Sequence, residues 1–505
     1  MAKKIGIISL GCSKNRVNTE QMMYLLKQAG YAVSGETDNA DAVIINTCGF
    51  IDSAKTEAIN TILELANAKS GDAGFKIIVA GCLAERYKDE LQKELPEVDA
   101  IVGVGSFDEI ADVVRRTVDD SRQDGKVSFC KSERLSRTEL SGKEPRKADK
   151  ETRESFNRKE YFSDINAPVS ETVRVISTSK VWAYLKIAEG CDNRCAYCVI
   201  PDIRGRFRSR PIDMIVKEAK ELAGRGYKEL NIVAQDLTAY GLDLYGKRSL
   251  TELLQAMSDI NELKWIRLFY LHPHGIDSKL IKEIARNDKI VKYLDIPIQH
   301  INTRILEKMN RRVTRDDIQK LFDAAREGID NVVLRSSIIT GLPYEDNKAF
   351  DELCAFLEEA KIERAGVFAY SPQENTPAAK MKRVSAKIAQ QRCRAVQEIQ
   401  SKIMHEFDKS HIGKVFDAII EEHEDENALF ARSYAQAPEV DGYIKIKKNA
   451  PLSGFYKNNL PKKNYAKNGK STTKTANFDK SVNSGKMVKL IIADIQDGQL
   501  IGEIT

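Results

Sequence analysis

The chain has 505 residues, with 79 Lys and Arg against 74 Asp and Glu, 42% hydrophobic and 30% charged. That length suits about three domains, and the apolar share supplies a core for each, which excludes a wholly disordered chain. No run of about 18 apolar residues occurs, so no segment is expected to span a membrane. The apolar stretch within residues 1–12 is short, and Lys14 and Arg16 follow at once. It reads as a first strand rather than a secretory leader, and a cytoplasmic protein is expected. In such a chain the nine cysteines are thiols or metal ligands rather than a disulfide framework.

Residues 1–117 alternate strand and helix. Strands are predicted at 4–10, 41–46, 75–80 and 101–104, with helices at 17–29, 53–66, 84–95 and 106–117. Helical crossovers at this spacing predict an α/β doubly wound domain on a parallel sheet. Residues 118–180 lose the pattern, and 134–157 is a charged run with few apolar residues, read as an insert or linker. From 181 to 404 the alternation resumes on a larger scale. Strands at 181–187, 229–234, 265–271, 291–297, 331–339 and 365–370 predict a partial (β/α)6 barrel with its site at the C-terminal strand ends. A long helix at 385–407 leads out. Residues 405–505 carry short strands at 415–421, 429–432, 442–447, 487–493 and 500–504, which predict a small β-barrel. A basic insert, 450–486, interrupts it. Within that insert, 454–486 holds eight Lys and one Asp, a net +7, so the remaining chain is about −2 and net charge gives no argument for nucleic acid.

The sharpest pattern is Glu189-Gly-Cys191-Asp-Asn-Arg-Cys195-Ala-Tyr-Cys198, three thiols within eight residues just after the first barrel strand. Zinc sites are usually closed by four ligands, and a four-iron cubane takes four thiolates. Three thiolates leave one iron open to another ligand. A zinc site completed from elsewhere, or core thiols, are the alternatives. A second set is dispersed: Cys12, Cys48 and Cys82 each end a predicted strand, separated by 36 and 34 residues, one βα repeat each. A parallel sheet would bring all three to one edge. Any one alone suits packing, but three in equivalent places suggest a second three-cysteine iron–sulfur site. Cys354 and Cys393 fit helical cores, and Cys130 fits no pattern. His272 and His274 form His-Pro-His, read as lining a pocket or, alternatively, binding metal. Arg204, Arg206, Arg208 and Arg210 alternate as a strand would, giving one basic face for a ligand carboxylate, for substrate, or for solvent.

The CxxxCxxC loop after the first strand of a βα barrel resembles the radical S-adenosylmethionine superfamily. The resemblance implies an open iron that chelates S-adenosylmethionine and an electron that cleaves it to a 5′-deoxyadenosyl radical. It also implies cofactor-binding roles for Tyr197, for Gln235 and Asp236 at the methionine end, and for Ser337 and Ile338 at ribose and adenine. With the dispersed triplet and a final barrel that looks like a TRAM domain, the whole resembles the methylthiotransferases, inserts excepted. Two branches of that family modify tRNA adenosine, giving its 2-methylthio form. One modifies an aspartate of ribosomal protein S-twelve. Ser9-Leu-Gly-Cys12-Ser-Lys-Asn15, Val233-Ala-Gln-Asp236-Leu-Thr-Ala-Tyr-Gly241, Tyr293-Leu-Asp-Ile-Pro-Ile-Gln-His300 and Arg432-Ser-Tyr-Ala-Gln-Ala-Pro-Glu-Val-Asp441-Gly442 look like the protein branch. Ser13 stands where that branch usually has Pro, and Gln436 where it has Asp.

That resemblance implies two four-iron, four-sulfur clusters facing each other, at Cys12, Cys48 and Cys82 and at Cys191, Cys195 and Cys198. It implies two molecules of S-adenosylmethionine, one giving its methyl to sulfur at the first cluster and one giving the radical at the second, and no side-chain acid or base. The implied product is 3-methylthioaspartate. The implied partners are S-twelve or the small ribosomal subunit, and a low-potential donor such as flavodoxin or ferredoxin. Glu439 and Asp441 are acids on a domain that otherwise binds RNA; they repel phosphate and suit a basic ribosomal protein, or else shape a turn. A non-catalytic iron–sulfur carrier is the alternative from another class.

Overall fold

The computed structural model describes residues 2–69, 74–119, 160–423, 428–447 and 484–505. It comprises two compact units, Met1–Val175 and Ile176–Thr505.

In the first unit, β1 (Lys4–Ser9), β2 (Ala32–Ser34), β3 (Ala42–Thr47), β4 (Lys76–Gly81), β5 (Ala100–Val102) and β6 (Glu160–Tyr161) form one sheet in the order β2-β1-β3-β4-β5-β6. Every pairing is parallel. Side chains alternate across a strand, and here both faces are covered. Ala42, Ile44, Ile78 and Ala80 pack with Met22 and Leu26 of the helix Ser13–Gln28. Val43, Ile45, Ile77 and Val79 pack with Ala58, Ile62 and Ala66 of the helix Asp52–Lys69. The doubly wound sheet follows from this two-sided burial. β2 and β6 carry too few residues for periodicity to mark them. β6 lies inside the stretch read as an insert; so does Arg174, which forms a buried ion pair with Glu20. Residues 160–175 therefore pair and pack with the first unit. Cys130 and the 134–157 run lie outside the described residues.

The second unit is built on β7 (Trp182–Lys186), β8 (Ala188–Glu189), β9 (Arg208–Ser209), β10 (Glu229–Val233), β11 (Trp265–Leu268), β12 (Ile290–Asp295), β13 (Val333–Thr340) and β14 (Arg364–Ala369). Six of these form a parallel sheet in the order β14-β13-β12-β11-β10-β7, while β8 and β9 pair separately. The six coincide with the six predicted strands, and the sheet is not closed, so the partial barrel stands. Ala183, Leu185, Leu230, Ile232, Leu294, Leu334 and Ile338 join the core beneath the covering helices. By strand alternation Tyr184, Lys186, Asn231, Arg267, Tyr293, Asp295, Arg335 and Ser337 share the helix-free face.

After the helix Ala386–Lys409, β15 (Val415–His423), β16 (Ala428–Ser433), β17 (Ile444–Lys447), β18 (Met487–Gln496) and β19 (Gln499–Ile504) close into a barrel in the order β15-β16-β17-β19-β18. A buried ionic group joins it to the sheet. Arg432 pairs with Glu229 at 2.6 Å and with Glu421. Trp182 Nε1 donates to Glu421 at 3.0 Å, and Arg267 donates to Glu229 at 2.7 Å and to the Tyr434 carbonyl at 2.8 Å. Trp182 and Glu229 begin their strands, so the barrel sits at the end opposite the C-terminal strand ends. Of the basic insert, only 484–486 is described. No helix among the described residues is long and apolar enough to cross a membrane.

Candidate functional site

Cys191, Cys195 and Cys198 lie on the loop after β8, held from two directions. Ala196 N donates to the Met309 carbonyl at 3.0 Å, and Ala378 N donates to the Ala196 carbonyl at 2.9 Å. Asn310 Nδ2 donates to the carbonyls of Asn193 and Arg194 at 3.3 and 3.0 Å. Cys195 and Tyr197 are buried among Ile305, Met309, Leu342 and Tyr370, with Cys198 and Ile339 at the edge. Burial pushes the Cys191 thiol up to about 12 and Cys198 higher still. Metal-free, these thiols keep their protons, and an entering metal displaces them. Arg311, itself buried, donates to Cys195 Sγ at 3.6 Å and to the Tyr197 hydroxyl at 3.4 Å. Among the described residues no three His, Cys, Asp or Glu side chains gather as ligands of a single ion. In a cubane each thiolate takes a different iron, so its ligands stand further apart than those of one ion. Three soft donors in a dry shell beside a fixed cation fit an anionic iron–sulfur cluster.

Gln235, just past β10, lies at the same strand ends. Its Nε2 donates to Glu189 at 2.7 Å, and its Oε1 is buried with no partner. Glu189 also accepts from Lys186 at 2.8 Å and Arg204 at 2.9 Å. Burial disfavours the Glu189 charge, but Arg204 and Lys186 outweigh it and hold the carboxyl well below its usual range. An ionised carboxylate only accepts, so the amide must turn its NH2 toward Glu189 and its oxygen away. Asp236 accepts from Asn193 at 2.7 Å and from Thr238 N at 2.9 Å, which braces the cysteine loop against β10. Ser337 is half-buried on the helix-free face. Ile338 is wholly buried in the core on the other face. Alternation along β13 separates the two side chains, so Ile338 does not present its side chain beside Ser337; Ile339 does.

The basic face read from Arg204 to Arg210 is corrected. Arg204 ends a short helix, and only Arg208–Ser209 is strand. Arg204 and Arg210 are buried braces, Arg210 on Glu218 and on the Lys186 carbonyl. His272 Nδ1 accepts from His274 N at 3.3 Å. Burial, then the nearby charge of Arg311, pushes His272 down to about 2, so its ring is neutral. Cys393 is core and Cys354 packs against it, as expected.

In the first unit Cys12, Cys48 and Cys82 follow β1, β3 and β4, adjacent strands of one parallel sheet, and so reach one edge. Gly11 (φ +91°) and Gly81 (φ +98°) precede Cys12 and Cys82 in a backbone region that side chains rarely adopt. A Cβ on Gly11 would lie 2.8 Å from the Cys48 Cβ; one on Gly81 would lie 2.4 Å from Asn46 Oδ1. Asn15, fully buried, ties the three loops. Its Nδ2 donates to the carbonyls of Leu10 and Thr47 at 3.2 and 2.8 Å, and its Oδ1 lies 3.6 Å from Cys82 Sγ. Cys12 is exposed, Cys48 half-buried and Cys82 buried.

In the final barrel the carboxylates of Glu439 and Asp441 meet the chain's own tyrosines. Tyr184 donates to Glu439 at 3.0 Å and Tyr293 to Asp441 at 2.5 Å. Asp441 also accepts from Ala437 N at 2.9 Å, as a turn-shaping residue does, while Glu439 remains largely exposed. Gln436 accepts from Ser433 N and Oγ at 3.0 and 2.7 Å. Arg311, Asn15, Ile339 and Glu189's hold on Gln235 were not singled out from sequence. Arg311 lies 116 residues from the cysteine it touches, and no local pattern marks it.

Family models match in three places: the uncharacterized protein family UPF0004 at residues 4–103, the radical SAM superfamily at 185–357 and the TRAM domain at 412–460. The TsrM radical S-adenosylmethionine methyltransferase from Kitasatospora setae shares the fold, with a TM-score of 0.51 at 13% identity, covering 75% of this chain and 74% of that one. A cysteine loop of this kind on this barrel, in a chain that matches the radical SAM superfamily, defines a radical S-adenosylmethionine enzyme. A relative from Acetivibrio thermocellus is 44% identical over 454 residues, 90% of this chain and 94% of its own. One from Caldicellulosiruptor saccharolyticus is 41% identical, covering 87% and 92%. Another from Desulforamulus reducens is 42% identical, covering 89% and 94%. All three are named ribosomal protein uS12 methylthiotransferase RimO, and this chain belongs to the RimO family.

Proposed function

We propose that this chain places a methylthio group on the β-carbon of an aspartate in ribosomal protein S-twelve. The observation that carries the reading is two cysteine triplets, each at the C-terminal ends of a parallel sheet, in a chain alike over its length to enzymes named for that reaction. When bound, two four-iron clusters and S-adenosylmethionine supply the radical, the sulfur and the methyl group. Cys191, Cys195 and Cys198 would hold one cluster, their three thiolates leaving room for the cofactor. Gln235 Oε1, turned outward by Glu189, would accept from the cofactor's amino group, and Ser337 would serve its ribose. The apolar shell of Ile305, Met309, Leu342 and Ile339 keeps water from the reacting atoms. Cys12, Cys48 and Cys82 hold the second cluster, with Asn15 tying their loops. No side-chain base could deprotonate an unactivated aspartate β-carbon near neutral pH, so a radical route suits that position. Asp441 shapes its turn, and exposed Glu439 meets the basic substrate. The electron comes from a low-potential donor such as flavodoxin or ferredoxin, and the setting is the cytoplasm.

The test is iron and product together. Reconstituted enzyme is expected to hold about eight irons, two cubanes. A triple change of Cys12, Cys48 and Cys82 to Ala should halve the iron and keep cleavage to 5′-deoxyadenosine. Cys195→Ala should abolish that cleavage. Four irons in both the unaltered and the triple-changed chain would refute the second site.

A further inference from the structure

We propose that Arg311 is a positioning residue for electron uptake. Its fixed hydrogen bond to the Cys195 sulfur raises the potential at which the loaded three-cysteine site is reduced. This rests on reading Cys191, Cys195 and Cys198 as cluster ligands.

The helix Thr303–Lys308 ends just before Arg311, and the next residues make an unusual turn. Asn310 (φ +55°) and Arg312 (φ +52°) both adopt the left-handed region without being glycine. Such conformations are costly and persist where surrounding contacts enforce them. Here three successive residues reach the cysteine loop: Met309 through its carbonyl, Asn310 through its amide and Arg311 through its guanidinium. The guanidinium is immobilised. It is 4% exposed, Nη2 donates to the Pro297 carbonyl, and Nη1 donates to Cys195 Sγ and the Tyr197 hydroxyl. Nε is buried without a partner, so the protein's own acceptors do not saturate the group.

Uptake of one electron from a low-potential one-electron donor makes the site more negative by one charge, with no bond made or broken. Part of that charge lies on the cysteine sulfurs. Arginine stays protonated in both states, so no proton moves. A fixed cation bonded to a ligand sulfur stabilises the reduced state more than the oxidised one. Burial strengthens the effect by excluding screening water, and hydrogen bonds to sulfur are among the features that set cluster potentials.

The experiment uses the full-length chain with Cys12, Cys48 and Cys82 changed to Ala, reconstituted anaerobically so that one site loads. Iron content is measured, and the reduced signal is followed by electron paramagnetic resonance across a dithionite titration. Arg311→Gln, which keeps a donor but loses the charge, should load equal iron and show a more negative midpoint. Arg311→Lys, charged but without the fork, should fall between. Superimposable midpoints at equal iron would overturn the proposal. So would an unchanged midpoint with weakened S-adenosylmethionine binding, which would make Arg311 a cofactor anchor. If Arg311→Gln holds no iron, Arg311→Lys decides: a negative shift supports the proposal and an unchanged midpoint overturns it. Loss of iron from both variants overturns it in favour of a purely structural role. If the parent with Arg311 intact loads no iron, the cluster reading fails instead.

Discussion

Gly81 shows how a single backbone position serves the second cysteine set. Its φ of +98° and the 2.4 Å approach of Asn46 Oδ1 leave no room for a Cβ. Gly81→Ala should therefore destabilise the first unit by about 1–3 kcal/mol and lower iron at Cys12, Cys48 and Cys82. Denaturation and iron analysis check this; an unchanged iron content would count against the geometry. Gln235→Leu removes the outward-facing oxygen at similar size. S-adenosylmethionine should bind about tenfold more weakly, the size of one hydrogen bond to a charged group, with iron unchanged. Calorimetry would show it, and equal affinity would contradict the assigned role. The cysteines were legible because their spacing is local or repeats with the βα unit. Asn15, Glu189 and Arg311 were not, because their meaning lies in contacts between distant loops. Gln235 was placed by resemblance, but the direction of its amide follows only from the charge on Glu189.

At the scale of elements, strands buried on both faces announced themselves as apolar runs, and β2 and β6 were too short to do so. The junction between the final barrel and the sheet was not legible, since Arg432, Glu229 and Glu421 are far apart in sequence and each looks like a surface charge. Arg432→Ala would leave buried Glu421 without its cation and Glu229 with Arg267 alone, at a cost of about 3–5 kcal/mol. Chemical denaturation should register that loss, and a neutral result would mean the group is solvated. By the same reasoning, removing residues 411–505 would bare Trp182, Glu229 and Arg267, so the truncated chain is expected to lose stability as well as activity. His411 joins the exit helix to β15, packed edge-on to Phe407 and Phe416 with centroids 4.4 and 4.9 Å away. Burial, with Lys414 and Arg364 nearby, lowers it from 6.5 to about 4, so the fold favours the neutral ring. The unfolded chain takes up its proton first as pH falls. Stability is therefore unaffected above about 6.5 and declines toward 4, by about 2 kcal/mol at pH 5. Replacement by Phe should flatten that part of the stability–pH curve. A curve of unchanged slope would show that His411 titrates normally.

Across the whole molecule, each unit presents three cysteines near the C-terminal edge of a parallel sheet beside a buried polar residue: Asn15 ties three loops in one, and Arg311 braces a single loop in the other. The βα alternation changes scale between the two units, from short repeats before residue 118 to longer ones after 180. The attachment of residues 160–175 to the first sheet was not legible, because a charged run separates them from it in sequence. Substrate choice is the least local property of all. The resemblance of the final barrel to a TRAM domain implies RNA, while the low charge outside residues 454–486 and the exposed Glu439 suit a basic protein. The most direct test is mass spectrometry of S-twelve peptides and tRNA nucleosides from cells with and without this chain. The account predicts an S-twelve aspartate carrying methylthio in place of a β-hydrogen only when the chain is present, with tRNA unchanged. A methylthio group on tRNA adenosine, with S-twelve unmodified, would contradict it.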